Sequence, residues 1–289
     1  MYQLFCDSNC ELWHTEAKEL GLNVIRMPYV LDGEEYYYDL GEKTDFKHFY
    51  DRMRAGAVPT TSAINEQNYI DYFEPVLKEG KDIYYITFSH KLSATFESMD
   101  RAIAALKEKY PDREIRTFDT KSISLGAGFQ VRLAAKKYNA GATMDELDAY
   151  LTEIREHTVV YFVVDDLVYL KRGGRISSLT AAFGSLLGIK PMISVMPDGS
   201  LQSVGKVKGS KRVFAEFVRI MREHNCNVKD YRIEVLQADC PETGDAFVQT
   251  LRQEFGEDIK VDYQVVGPVI AAHCGPGTLG LIFYGDKQA

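Results

Sequence analysis

The chain has 289 residues, 45% of them hydrophobic and 26% charged, with a formal net charge of −8. That balance is ordinary for a globular protein with ample core, and the negative charge disfavours general affinity for nucleic acid, whose phosphates attract basic surfaces. No apolar run approaches the roughly 18 to 20 residues of a membrane span, and the N-terminus "MYQLFCDSNCEL" lacks the basic-then-apolar pattern of a signal peptide, so the expected location is the cytoplasm. The five cysteines, Cys6, Cys10, Cys226, Cys240 and Cys274, are odd in number and scattered and form no C-x-x-C pair. Neither a disulfide framework nor a metal site is expected from them.

In chain order, "YQLF" reads as a strand leading through Asp7-Ser8-Asn9 to a helix in "CELWHTEAKELG". "AVPTTSAIN" holds the hydroxyl cluster Thr60-Thr61-Ser62 behind Pro59 and reads either as a polar surface loop or as a binding loop. "DIYYITF" is a second strand. Its turn holds Thr87, Ser89, His90, Ser93 and Thr95, and Phe96, Met99, Ile103 and Leu106 then recur at helical spacing. A helix is therefore predicted from near Ser93. "EIRTF" is a third strand, leading through Asp119-Thr120-Lys121-Ser122 to a helix in "SLGAGFQVRLAAKKYNAG", which Gly141 terminates.

This strand–turn–helix repetition predicts a parallel sheet with helices on its faces. In such sheets ligands bind outside the carboxyl ends of the strands, where these polar turns lie. Near residue 160 the texture changes. A β-branched run from Val159 to Val164 precedes the helix-like "DDLVYLKRG", a hairpin signal at Asp198-Gly199, the helix "KRVFAEFVRIMREHN", the strand "YRIEVLQ", the helix "GDAFVQTLRQEFG", and "DIKVDYQVV". The tail "GPVIAAHCGPGTLGLIFYG" ends on a strand. The expected fold class is α/β with two domains. Residues 1–160 form a parallel-sheet α/β/α domain, and residues 161–289 a second α/β domain with a mixed or antiparallel sheet.

Several residue groups could carry chemistry. A strand–helix junction offers free backbone N–H groups and a positive helix end. Ser93 and Thr95 either add hydroxyl donors there or serve the helix as caps. Lys171, Arg172 and Arg175 surround Gly173-Gly174; the arginine after such a turn either faces an anion or is solvated. Lys206, Lys208, Lys211 and Arg212 lack P-loop spacing and read as a basic patch for a protein partner. His273 precedes Gly275, Gly277 and Gly280 and is either a satisfied core residue or a ligand group. No G-x-S-x-G elbow is present for Ser93 or any other serine, and Cys274 beside His273 is no dyad by adjacency alone. No G-x-G-x-x-G follows a strand. The scarcity of paired bases and carboxylates in the turns favours binding over catalysis.

Taken together and in order, "DSN", "PTTS", "SHKLSATFES", "FDTKSISLGAG", "VDDLVYLKRGGRIS", "GIKPMISV", "GKVKG" and "HCGPGTLG" make the chain resemble the DegV family of fatty-acid-binding proteins, from about Asp7 to Phe283. The resemblance implies two α/β domains closing on a buried acyl chain. It implies a carrier that is not itself an enzyme and needs no cofactor. Its ligand would be a long-chain fatty acid whose carboxyl group it presents to an ATP-dependent fatty acid kinase, in the acyl phosphate route to bacterial phospholipid. It leaves room for transient contact with a membrane surface.

By the same resemblance, Thr61, Ser62 and Ser93 hold the head group and His273 bonds the carboxyl. Arg175, with Ala94 and Thr95, supports the region that the phosphate occupies. The chain departs from the family pattern at Ala94, where glycine is usual, and at Asn9 of the first turn, where threonine is usual and no role is assigned. A minor departure is Ala63 after "TTS". Burial of roughly 14 methylenes at ~0.8 kcal/mol each amounts to on the order of 11 kcal/mol gross, so the tail would dominate affinity while hydroxyls orient the head and offset its desolvation. The competing reading is a serine- or cysteine-dependent hydrolase or transferase acting on a lipid ester through Ser93 or Cys274. A nucleic-acid-binding regulator using the 205–212 basic segment is disfavoured by the charge.

Overall fold

The computed structural model describes residues 1–175 and 188–287. The first strand, β1 (Tyr2–Asp7), runs into a single 3-10 turn at Ser8–Cys10 and then α1 (His14–Glu19). There follow β2 (Asn23–Ile25), β3 (Pro28–Leu31), β4 (Glu34–Tyr37), α2 (Phe46–Arg54), β5 (Thr60–Thr61) and α3 (Glu66–Lys78). Next come β6 (Asp82–Thr87), a 3-10 turn at His90–Leu92, α4 (Thr95–Lys109), β7 (Ile115–Asp119), α5 (Leu125–Asn139) and α6 (Met144–His157). The chain continues through β8 (Thr158–Val163), α7 (Val168–Arg172), β9 (Ile189–Val195), β10 (Leu201–Lys208) and α8 (Ser210–Glu223). It ends with β11 (Ile233–Gln237), α9 (Pro241–Phe255), β12 (Val261–Val265), α10 (Pro268–Cys274) and β13 (Leu279–Tyr284).

The fold is α/β. A four-stranded sheet, ordered β2-β1-β6-β7, is parallel throughout. Its central strands are continuous apolar runs because helices cover both faces; Ile83, Tyr84, Tyr85 and Ile86 of β6 are all buried. A six-stranded sheet, ordered β10-β9-β8-β13-β11-β12, is mixed: only β11 and β12 run parallel. Strand β8 crosses residue 160, so the second sheet takes its first strand from there. A small antiparallel sheet, β4-β3-β5, carries Thr61 opposite Tyr29.

Local chemistry explains the helix limits. Thr143 and Glu146 form a capping box at the start of α6, as do Asn65 and Asn68 at α3. Helix α8 buries Val213, Phe214, Phe217, Ile220 and Met221 on one face, the 3.6-residue stripe that its sequence predicts. The helix expected from near Ser93 begins two residues later, at Thr95. The residues His90–Leu92 first close a tight turn whose amide Lys91 N–H is accepted by Ser89 Oγ at 3.2 Å.

The two sheets are bolted together by polar contacts across the chain. Ser89 Oγ donates to Gly199 O at 2.7 Å, seating the β9–β10 hairpin on the β6–α4 turn. Gly199 has φ +86°, and a Cβ there would lie 2.3 Å from Ser89 Oγ, so the turn needs glycine for both conformation and proximity. Tyr50 donates to Val266 O at 2.6 Å. Arg132, 2% exposed, reaches Glu16 at 2.5 Å, Asp262 at 2.8 Å and the fully buried Glu234. Burial lifts Glu234 to about 8 despite the neighbouring guanidinium.

Candidate functional site

An apolar cavity lies between the parallel sheet and the mixed one, with about 970 Å³ of atom-free space including its mouth. Met27, Phe88, Leu92 and Ile123 come from the first half of the chain, and Val160, Phe162, Leu236, Val266, Val269 and Ile282 from the second. The polar residues on its wall are few, and they include Thr61, Ser62, Ser93, Thr95, Arg175 and His273.

Each reaches the wall for a local reason. Thr61 sits on edge strand β5, so the "PTTS" segment is a sheet element and not a loop. His273 is on α10, a helix begun by Pro268 at its first position after Gly267. The apolar run before His273 is thus helical, where the sequence pattern showed only a tail ending on a strand. Helix α10 and edge strand β5 bring Thr61 Oγ1 and His273 Nε2 to 2.8 Å. The imidazole packs on the backbone of Gly173, where a Cβ would lie 2.2 Å from Nδ1. Nδ1 is buried and unpaired among the described residues. Burial, with the Arg175 charge adding to it, drops His273 to about 4, so the ring is neutral near pH 7.

Arg175 donates through Nε to Leu92 O at 3.0 Å and through Nη1 to Gly173 O. It has no carboxylate partner among the described residues, and burial alone pulls its pKa down. It thus presents a half-buried cation to the cavity. The Ile176 and Ser177 end of the "GGRIS" motif lies outside the described residues. Ser93 lines the cavity and accepts the Thr95 N–H at 3.2 Å, and its hydroxyl donates to no group among the described residues. Ser62 is exposed at the mouth and donates to Glu35 at 3.4 Å.

Two of the expected site residues stand apart from this cluster. Thr95 is buried, and its hydroxyl is engaged by Tyr69 OH at 3.2 Å and Ile64 O at 3.3 Å. Ala94 is exposed and is not part of the cavity wall. Cys274 lines the cavity, but burial raises its thiol to about 12, which keeps it protonated and weakly nucleophilic. Ser93 has no histidine on its hydroxyl among the described residues, because His273 faces Thr61 and His90 Nε2 faces Thr87 Oγ1 at 2.9 Å.

Sequence reasoning missed two features. One is Glu11, which accepts from Gly267 N at 2.6 Å and from Ser124 Oγ, and so holds the start of α10. Burial lifts it to about 8. The other is the place of Asn9, a first-turn residue to which the sequence assigned no role, on the cavity wall. Nothing in the spacing marked Glu11. A signal for α10 itself was present in the Gly267-Pro268 pair.

Among the described residues no helix is long and apolar enough to cross a membrane. The sequence matches the family model described as "Uncharacterised protein, DegV family" over residues 1–286. It is 36% identical over 288 residues to a DegV domain-containing protein of Clostridium perfringens, covering 99% of this chain and 98% of that one. Among solved structures, it is similar to a DegV family protein from Thermus thermophilus described for fatty acid binding, at 28% identity and a TM-score of 0.85 over 98% and 99% of the two chains. It is also similar to DegV of Bacillus subtilis, described as a fatty acid binding protein, at 25% identity and a TM-score of 0.84 over 99% of each. On the whole-chain match, this chain belongs to the DegV family.

Proposed function

We propose that the chain binds a long-chain fatty acid in this cavity and presents its carboxyl group to an ATP-dependent fatty acid kinase, acting as a carrier and not as an enzyme. The observation that carries the reading is an apolar cavity whose wall bears Thr61, His273, Ser93 and Arg175, the last without a carboxylate partner among the described residues. That combination suits a molecule with one acidic end and a long apolar body. A neutral His273 that donates through Nε2 to Thr61 would leave the threonine proton free for a carboxylate oxygen, and Ser93 would supply a second hydroxyl. Arg175 would hold the charge, and hold it more strongly once a phosphoryl group is added. The fatty-acid binding described for the Thermus and Bacillus relatives supports the reading.

The same proposal includes two α/β domains meeting near residue 160, a cytoplasmic location, no cofactor and no nucleic-acid partner. The roles of Ala94 and Thr95 in it are indirect, through the helix start that follows Ser93. Mass spectrometry of lipid extracted from the purified chain is the test: a co-purified long-chain fatty acid is expected. Adding the chain to a fatty acid kinase with ATP is expected to yield acyl phosphate. Protein that carries no lipid from a lipid-replete host, and takes up none afterwards, would defeat the proposal.

A further inference from the structure

The side chain of Asn9 is 4% exposed and lies on the wall of the same cavity. Its backbone N–H is held by Asp7 Oδ1 at 2.9 Å. Its side-chain amide makes no hydrogen bond among the described residues, and Oδ1 is fully enclosed without a partner. Ser8, next in sequence, and Ser124, on the same wall, already hold other partners: Ser8 Oγ accepts from Met27 N at 2.9 Å, and Ser124 Oγ donates to Glu11.

A buried amide left unpaired costs roughly 1–3 kcal/mol, and leucine, of similar shape, would avoid that cost in a cavity wall that also includes Met27, Phe88 and Ile123. The amide and the acid end are carried by different elements, the turn after β1 against β5 and α10. Ser8, beside Asn9, is fixed to Met27, whereas Thr61 pairs with Tyr29, and two residues of extended chain span about 7 Å.

We propose that Asn9 forms a polar subsite within the acyl cavity that selects a long-chain fatty acid bearing a hydroxyl group on its chain. The proposal rests on the fatty-acid reading above. An amide offers both a donor and an acceptor, and a hydroxyl answers either one. Without such a partner a hydroxylated chain would lose affinity here, since its O–H would be desolvated among apolar side chains. With it, two polar groups that are each costly alone satisfy one another. An ordered water would also pair the amide, but it would confer no preference among positions on the chain.

The test is displacement of a fluorescent fatty acid by stearic acid and by a positional series of monohydroxystearic acids, on the wild type and on Asn9→Leu. One mid-chain isomer is expected to bind roughly 5- to 10-fold more tightly than its neighbours in the series, the worth of one net hydrogen bond. Asn9→Leu is expected to abolish that peak and to tighten stearic acid. A flat series, a preference confined to the carbons next to the carboxyl group, or a peak unchanged in Asn9→Leu would each overturn the subsite. Stearic acid binding with a flat series removes the subsite alone, whereas no binding of any acid removes the fatty-acid reading as well. The wild-type series is decisive without a variant, and Asn9→Ala provides a second one.

Discussion

The turns after β1 and β6 sit side by side, at the carboxyl ends of adjacent parallel strands, yet they differ in what they leave for the cavity. The first contains two acids, Asp7 and Glu11, both buried and both pushed up, to about 7 and about 8. They are spent inward: Asp7 accepts from Asn9 N, Tyr85 OH and Phe88 N, and Glu11 ties the turn to the start of α10. The second turn is rich in hydroxyls, and most of these are spent on structure too. Thr87 pairs with His90, Ser89 holds the hairpin at Gly199, and Thr95 meets Tyr69. Of this turn's hydroxyls, Ser93 alone lines the cavity without donating to another group among the described residues. The density of polar groups in a turn therefore measures how many backbone and side-chain partners that turn must satisfy, and only the remainder can serve a ligand.

Breaking the first turn is expected to have the largest effect. Glu11→Ala leaves Gly267 N–H and Ser124 unpaired and should cost roughly 2–3 kcal/mol in urea unfolding. Glu11→Gln, which can accept from Gly267 and donate to Ser124, should cost under about 1 kcal/mol. If the two variants are equally stable, Glu11 is not the tie between the turn and α10.

The second turn is tested by its hairpin contact. Gly199→Ala combines a left-handed backbone with a Cβ against Ser89 and should lose about 1–3 kcal/mol. Ser89→Ala should lose about 1 kcal/mol. A Gly199→Ala protein as stable as the wild type would show that the hairpin is not seated where Ser89 holds it.

Ligand binding separates the hydroxyls that the turn uses from those it leaves free. Thr61→Val and Ser93→Ala should each weaken fatty-acid retention roughly 5-fold, the worth of one hydrogen bond. Ser89→Ala should leave retention unchanged. Equal losses in all three would mean that the hydroxyls act through the fold and not on the head group.

The last test is the pH dependence of stability, and it sets the first turn against His273 of α10. Asp7 and Glu11 hold their protons more tightly in the folded chain than in the unfolded one. Their contribution to stability is whole below about pH 4, the unfolded carboxyl range. It declines as pH rises through about 7 for Asp7 and about 8 for Glu11. His273 acts from the other side: its contribution is whole above about 6.5 and is lost as pH falls toward about 4. The Tm should therefore fall between about pH 5 and 8, and Glu11→Gln should flatten the upper part of that fall. A Glu11→Gln curve parallel to the wild type would exclude Glu11 as a source of it.

Much of the fold was legible. The strands "YQLF", "DIYYITF" and "EIRTF" became β1, β6 and β7, and Asp198-Gly199 became the β9–β10 hairpin, because apolar runs and turn chemistry are local signals. The small β4-β3-β5 sheet went unseen. Its strands are only 4, 4 and 2 residues long, too short for periodicity to register. The helix under His273 went unseen because seven residues give barely two turns of pattern. The residues at the site were reached largely through the ordered motifs of the family, since Thr61 and His273 are 212 positions apart and no spacing rule connects them.

By itself the sequence determined which of the longer stretches would be strand or helix, where glycine and proline would turn the chain, and that polar residues would collect at the strand ends. Those outcomes follow from interactions between near neighbours along the chain. Only the tertiary structure decided which of the polar residues were left over. Whether a hydroxyl, an imidazole or an amide already has its partner depends on groups that packing brings in from a hundred or more residues away, as Gly199 is brought to Ser89 and Gly267 to Glu11.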